Sequence, residues 1–250
     1  MELNEAINFI DKIISYKYEF NKEDFTEFGL DKAIKIAAID GSSIKILDGG
    51  SFSVALIRVG YVIAGEEIKN YIKNIELEVV DEESKIDEIR EMKEMELINE
   101  IDAELILVDG SVKANEKIVG ISKKSSYRTG LAPFLFLIKK AGDGFLPYKR
   151  WYYKIDESIY AVKFHPYSRF AFRVDFNGNP DETFPKIAPF CNDISCLGYP
   201  YPLAIIHRMV EIKKGEGNYI KNVIKSKMMK KIDDDEWENI FYDYHEYLEG

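Results

Sequence analysis

Glutamine is absent from this chain of 250 residues, and cysteine, histidine and proline are scarce, at two, three and eight. The two cysteines, Cys191 and Cys196, are too few for a disulfide framework. Their spacing lacks the two-residue gap of a zinc knuckle, so they read as buried or idle thiols. No apolar run approaches the roughly 20 residues that a membrane-spanning helix needs. The opening MELNEAINFIDKII mixes acids into an apolar helical pattern, unlike a secretory signal, so a soluble, cytoplasmic protein is expected. The missing glutamine, beside abundant Ile, Lys and Glu, fits a heat-adapted proteome that avoids thermolabile amides.

What is present suffices for a core: 46% of residues are hydrophobic and 13% aromatic. A chain of 250 residues is near the upper size for one hydrophobic core, so a single domain over 1–250 is expected. Residues 1–17 would form an N-terminal interaction helix, and residues 31–250 the core with insertions and C-terminal helices. The net charge of -10 argues at first against a polyanionic partner, but the charge is segregated. Residues 76–104 carry 13 acids against three bases, and Asp233 to Glu249 carries eight acids and no lysine or arginine. From Gly110 to Arg150 the balance reverses, with nine bases facing only Glu116 and Asp143. From Lys213 to Lys231 seven lysines face only Glu216. Local fields decide where a phosphate backbone can sit; otherwise such runs are solvated faces.

Period then assigns elements. Leu3, Ile7, Ile10, Ile13 and Ile14 give an amphipathic helix up to about Lys17. IKIAAID, Ile34 to Asp40, reads as a buried strand leaving through an Asp-Gly-Ser-Ser turn. Ser51 to Ile63 offers two strands near Gly60, and Lys69 to Val80 a third meander strand. Ser84 to Ile101 changes to helical period, with Ile86, Ile89, Met92 or Met95, Leu97 and Ile98 three or four apart. ELILVDGS, Glu104 to Ser111, is a second apolar strand closed by Asp-Gly-Ser. Lys117 to Ile121, Trp151 to Asp156, Ile159 to Phe164 and Arg169 to Phe176 read as strands. Leu131 to Lys140, Leu203 to Lys213 and Asp234 to Tyr247 read as helices.

Asp40 and Asp109 thus each stand at the end of an apolar strand, where open α/β sheets form ligand crevices. Two adjacent carboxylates repel unless a cation neutralises them, and hard oxygen donors favour magnesium or manganese. Two such ions would stabilise the attacking and leaving oxygens of a phosphoryl displacement. The acidic helix offers a third carboxylate: Glu94 first, Glu91 next, with Glu96 and Glu88 poorer. Strand Asp, helix Glu, strand Asp is the ribonuclease H-like arrangement, an α/β fold with a mixed central sheet flanked by helices.

Five segments, AAIDGSS at 37–43, REMKE at 90–94, LILVDGS at 105–111, GISKKS at 120–125 and GYPYPLAIIHR at 198–208, carry a resemblance to a known family. In this order they resemble NurA, the archaeal and bacterial nuclease that works beside the hexameric translocase HerA in DNA end resection. The resemblance implies a ribonuclease H-like core, a homodimer, and manganese-dependent cleavage of single- and double-stranded DNA, as a 5′-to-3′ exonuclease and single-strand endonuclease. It implies Asp40, Glu94 and Asp109 as metal ligands, with Asp193 a fourth carboxylate. Lys123 becomes a phosphate contact, with Lys124 and Arg128 alongside it on the DNA. His207 would ligate metal or shuttle a proton, or be structural; Tyr201 would stack on a base or contact a phosphate, or be a core ring. The alternative function is a catalytically silent scaffold or DNA-binding module for a translocase.

Overall fold

The structure, a computed structural model, describes residues 3–241 except Glu66 and Ala114. Helix α1 spans Leu3–Ser15 and is followed by strand β1 (Phe25–Phe28). Three long strands come next: β2 (Ile36–Asp48), β3 (Ser53–Ala64) and β4 (Ile68–Val80). Helix α2 (Ser84–Glu100) leads to β5 (Leu105–Asp109) and β6 (Ile118–Ser122). A short pair, β7 (Arg128–Thr129) and β8 (Ala132–Pro133), precedes α3 (Phe134–Phe145). Strands β9 (Arg150–Asp156), β10 (Ile159–Lys163) and β11 (Phe172–Asp175) follow. The last helices are α4 (Pro180–Ile187), α5 (Tyr201–Val210), α6 (Lys214–Met228) and α7 (Asp234–Phe241). The rest of the final helix expected to Tyr247 lies outside the described residues. Among the described residues no helix is long and apolar enough to cross a membrane.

The chain divides into two compact units. The first comprises Met1–Ala38, Ile63–Ile68 and Ala103–Ala204. Its strands run in the order β1-β9-β10-β11-β6-β5, antiparallel except for the parallel pair β5 and β6. Successive side chains of a strand point to opposite faces, and both faces are covered here. Trp151 packs in one cluster with Phe25 and with Ile138 of α3. Its neighbour Tyr152 meets Phe184 of α4, which also touches Phe28, Tyr160, Phe164 and Phe176. Each such ring, removed from water, contributes on the order of 2–3 kcal/mol.

The second unit comprises Ile39–Val62, Lys69–Asp102 and Ile205–Gly250. Strands β2, β3 and β4 are neighbours in that order, and connections this short permit only antiparallel pairing. Helix α2 docks through Ile86 on Ala55 and Val80, and through Lys93, which pairs with Glu76 and with Glu78 of β4. Helix α6 packs Ile220, Ile224 and Met228 on Ile46, Leu47, Leu56 and Trp237. The lysine run from 213 is therefore the outer surface of a helix whose inner surface is apolar.

The chain order of meander, helix and then a parallel strand pair is the mixed α/β, ribonuclease H-like order expected. Three local readings change. Strand β2 does not leave at Asp40 but continues through Gly41, Ser42 and Ser43 to Asp48. Strand β3 is unbroken through Gly60, where a Cβ would meet the Tyr71 carbonyl oxygen of β4 at 2.7 Å. Helix α2 buries Ile86, Lys93, Glu94 and Leu97, while Met92 and Met95 stay exposed. Ion pairs to β4 fix that rotation, which apolar spacing alone does not reveal.

Candidate active site

In the second unit, Asp40 sits mid-strand and is 6% exposed. The Gly41 N–H donates to its Oδ1 at 2.8 Å, and its Oδ2 lies 2.8 Å from His207 Nδ1. His207 stands on α5, exposed on its outer side. An Nδ1–H donated to the carboxylate leaves Nε2 as the acceptor, the tautomer that can bind a cation or take a proton.

Glu94 faces the same strand. Among the acids of α2 weighed as ligands, it is buried, whereas Glu88, Glu91 and Glu96 are exposed. Arg90, one turn earlier, donates to Glu94 Oε1, an i,i+4 pair on one helix face. Burial pushes the Glu94 carboxyl up to about 7; Arg90 opposes the rise and the charge of Asp40 adds to it. Gly41 makes room for this carboxylate: a Cβ there would lie 2.5 Å from Glu94 Oε1 and 2.9 Å from Val59 Cγ1. The glycine after Asp40 thus serves close approach rather than a turn.

In the first unit, Asp109 does close its strand. It is in register with Ile121 of β6, and Gly110, at φ 125°, donates its N–H to the Ile121 carbonyl at 3.1 Å. The chain then turns away in a left-handed conformation that suits glycine. Lys123, at the end of β6, reaches back to Asp109 Oδ2 at 2.8 Å. Its ammonium also lies 4.8 Å from the centroid of the Tyr199 ring, a cation–π contact. Lys124 and Arg128 are exposed on the segment that follows. Asp193 accepts from the N–H and hydroxyl of Ser195, closing a turn before α5. Tyr201, half-buried at the start of α5, has its hydroxyl pKa raised by burial and by the charge of Asp193. Both cysteines are free; Cys191 is buried and its thiol raised well above the usual range.

Two contributors escaped the sequence reading of individual roles. Arg90 was legible as the Arg four before Glu94, but not as the residue that holds it. Tyr199 lies inside the Gly-Tyr-Pro-Tyr-Pro segment, and its contact with Lys123 spans 76 positions of sequence.

Comparisons with known proteins give the family and the fold. The NurA domain profile matches residues 34–212, more than two thirds of the chain. The crystal structure of the NurA nuclease from Sulfolobus solfataricus is similar, with a TM-score of 0.70 at 18% identity, over 92% of this chain and 95% of that one. A crystal structure of NurA with manganese is similar too, with a TM-score of 0.63 at 9% identity, over 92% of this chain and 97% of that one. No curated protein matches. At such identities the structures speak for the fold, whereas the profile match spans the segments that carry Asp40, Glu94, Asp109, Lys123 and His207. The chain belongs to the NurA domain family.

Proposed function

We propose that this NurA-family chain is a two-metal-ion deoxyribonuclease that hydrolyses phosphodiester bonds of single- and double-stranded DNA. Family membership supports a nuclease role, and the manganese in a similar structure supports a divalent metal. The single observation that carries the reading is the family match across a chain that retains a complete acidic set. By the family resemblance Asp40, Glu94 and Asp109 would hold the metal, with Asp193 a further carboxylate and His207 a ligand or a proton shuttle. Carboxylate oxygens and an imidazole nitrogen, without thiolate, are a donor set that suits manganese or magnesium.

Bound there, the ions would supply an acidified water and offset charge on the phosphate. The chain's own groups do the rest. Asp40 holds His207 in one tautomer, leaving Nε2 either to ligate an ion or to take a proton. Arg90 keeps the Glu94 carboxylate aimed at β2. Lys123, paired with Asp109, would turn its ammonium to the incoming phosphate and stabilise charge in the transition state. Lys124 and Arg128 take phosphates farther along the strand, and Tyr201 contacts a base or phosphate. We further propose 5′-to-3′ exonuclease and single-strand endonuclease action in end resection, as a homodimer working with a HerA-type hexameric translocase.

The test is cleavage of labelled single- and double-stranded DNA with manganese, by the wild type and by Asp109→Asn of equal folding. Activity confined to the wild type supports the reading, and manganese should then raise the wild-type melting temperature by ligand linkage. Equal activity in both proteins, or none in either, sinks it.

A further inference from the structure

Two turns of the first unit carry aromatic rings that the fold leaves in solvent. Tyr148, before β9, is 71% exposed, and Tyr167, between β10 and β11, is 68% exposed. Single apolar residues on a surface need no explanation, but these rings touch. The centroids of Tyr148 and Tyr167 lie 5.9 Å apart, and His165 lies 5.9 Å from Tyr167.

Both turns are held firmly. The Ser168 N–H donates to the His165 carbonyl at 3.0 Å, the Tyr167 N–H to His165 Nδ1 at 3.2 Å, and the Ser168 hydroxyl to the Phe170 carbonyl at 2.8 Å. Tyr148 has φ 60°, a left-handed conformation that a residue other than glycine seldom adopts. That conformation contributes nothing to the core, since the ring stands outside it.

The charged groups nearby are Arg150, Arg169 and Lys163, the last paired with Asp143. Burial lowers the His165 pKa, and the charges of Arg150 and Lys163 lower it further. Arg169 is exposed two residues beyond Tyr167. Arg169, exposed beside the rings, offers the backbone of an anionic strand a cation despite the net charge of -10.

Direct contacts within the unit tie the rings to Asp109. Ser168 is 4% exposed and packs on Gly198, where a Cβ would lie 2.3 Å from its Oγ. Gly198 adjoins Tyr199, whose ring meets Lys123, and Lys123 pairs with Asp109.

We propose that Tyr148, Tyr167 and His165 form a stacking platform for the bases of a single DNA strand. The inference rests on the nuclease reading and gives that site a strand-holding extension. Every base has a π-face, so stacking holds a strand without reading its sequence, while the exposed Arg169 meets its backbone. A purely apolar protein partner would gain nothing from that cation.

The experiment is binding of a short single strand carrying 2-aminopurine, with calcium in place of manganese so that nothing is cut. Wild type should quench the fluorescence by stacking. Tyr148→Ala and Tyr167→Ala should each weaken binding by about five- to 100-fold and relieve the quench. Tyr167→Trp should restore both, and all melting temperatures should match because the rings are exposed. Alanine variants that bind and quench like wild type, a wild type that never quenches, or a tryptophan variant that fails like alanine would each overturn the platform. The readout needs no cleavage, so failure of the manganese assay and failure of the platform are separate results.

Discussion

Gly41 is a glycine whose identity is set by the candidate site. Its hydrogen stands where a methyl would meet Glu94 Oε1 at 2.5 Å and Val59 at 2.9 Å. The carboxylate end can swing away, but the valine is packed, so Gly41→Ala displaces Glu94 before it displaces the strand. The expected cost is about 1–3 kcal/mol by urea unfolding, together with loss of manganese-dependent cleavage of about tenfold or more. Unchanged cleavage would mean that the position of Glu94 does not matter to the chemistry. The Asp-Gly pair was legible in the sequence and its reason was not. A glycine that serves a turn and one that serves a neighbour 53 positions away look the same in a string of letters. Asp109-Gly110 is the former and Asp40-Gly41 the latter. Asp40 and Asp109 themselves were legible because each follows an apolar run, and Glu94 because it follows Arg90 by one turn.

At the scale of elements, α3 is tied to β10 by charge as well as by Ile138. Asp143 pairs with Lys139 at 2.7 Å and with Lys163 at 2.5 Å, and Lys163 is almost fully buried. Burial works against the Asp143 carboxylate, but the two lysines outweigh it and hold its pKa below the usual value of 3.8. A carboxylate so depressed stabilises the fold above its unfolded pKa, and that contribution is lost as pH falls through the folded value. Asp143→Asn should therefore cost about 1–2 kcal/mol at neutral pH, a modest figure because the pair is partly solvated. The gap in urea midpoint between wild type and variant should hold down to about pH 3.8 and close only as pH falls further, through the lower folded value; a gap that persists through that acid range would show that packing, not charge, sets the difference. Strands with clean alternation or apolar runs (β4, β5, β9, β10 and β11) were legible, as was α2. Helix α6 was not, because Gly215, Gly217 and its lysines hide a stripe whose partners, Ile46, Leu47 and Leu56, come from strands far upstream. Helix α4 went unassigned: it holds two prolines in eight residues, yet Pro180 opens the helix and Phe184 anchors it among five rings.

At the scale of the whole molecule, α1 is the element that contributes least to the chain's own fold. None of its residues is buried, and Leu3, Ile7, Ile10 and Ile14 are each more than half exposed. We expect removal of residues 1–17 to leave the melting temperature within a few degrees and to reduce dimer mass in light scattering or binding to a HerA-type ring. Full retention of both would leave the helix without an assembly role. Strand β2 contributes to both compact units, its first residues to one and the rest to the other. Asp40 lies within that unbroken run, so its direction is a matter of parity. Inserting one residue between Ile36 and Asp40 would turn the carboxylate to the opposite face of the sheet, while inserting two would return it. Residues Ile36–Ile39 are apolar and buried on both faces and would tolerate the odd insertion, whereas Asp40 and the residues after it would change face. Length variation in this lineage should therefore be confined to the loops around β2, because the strand itself counts in twos.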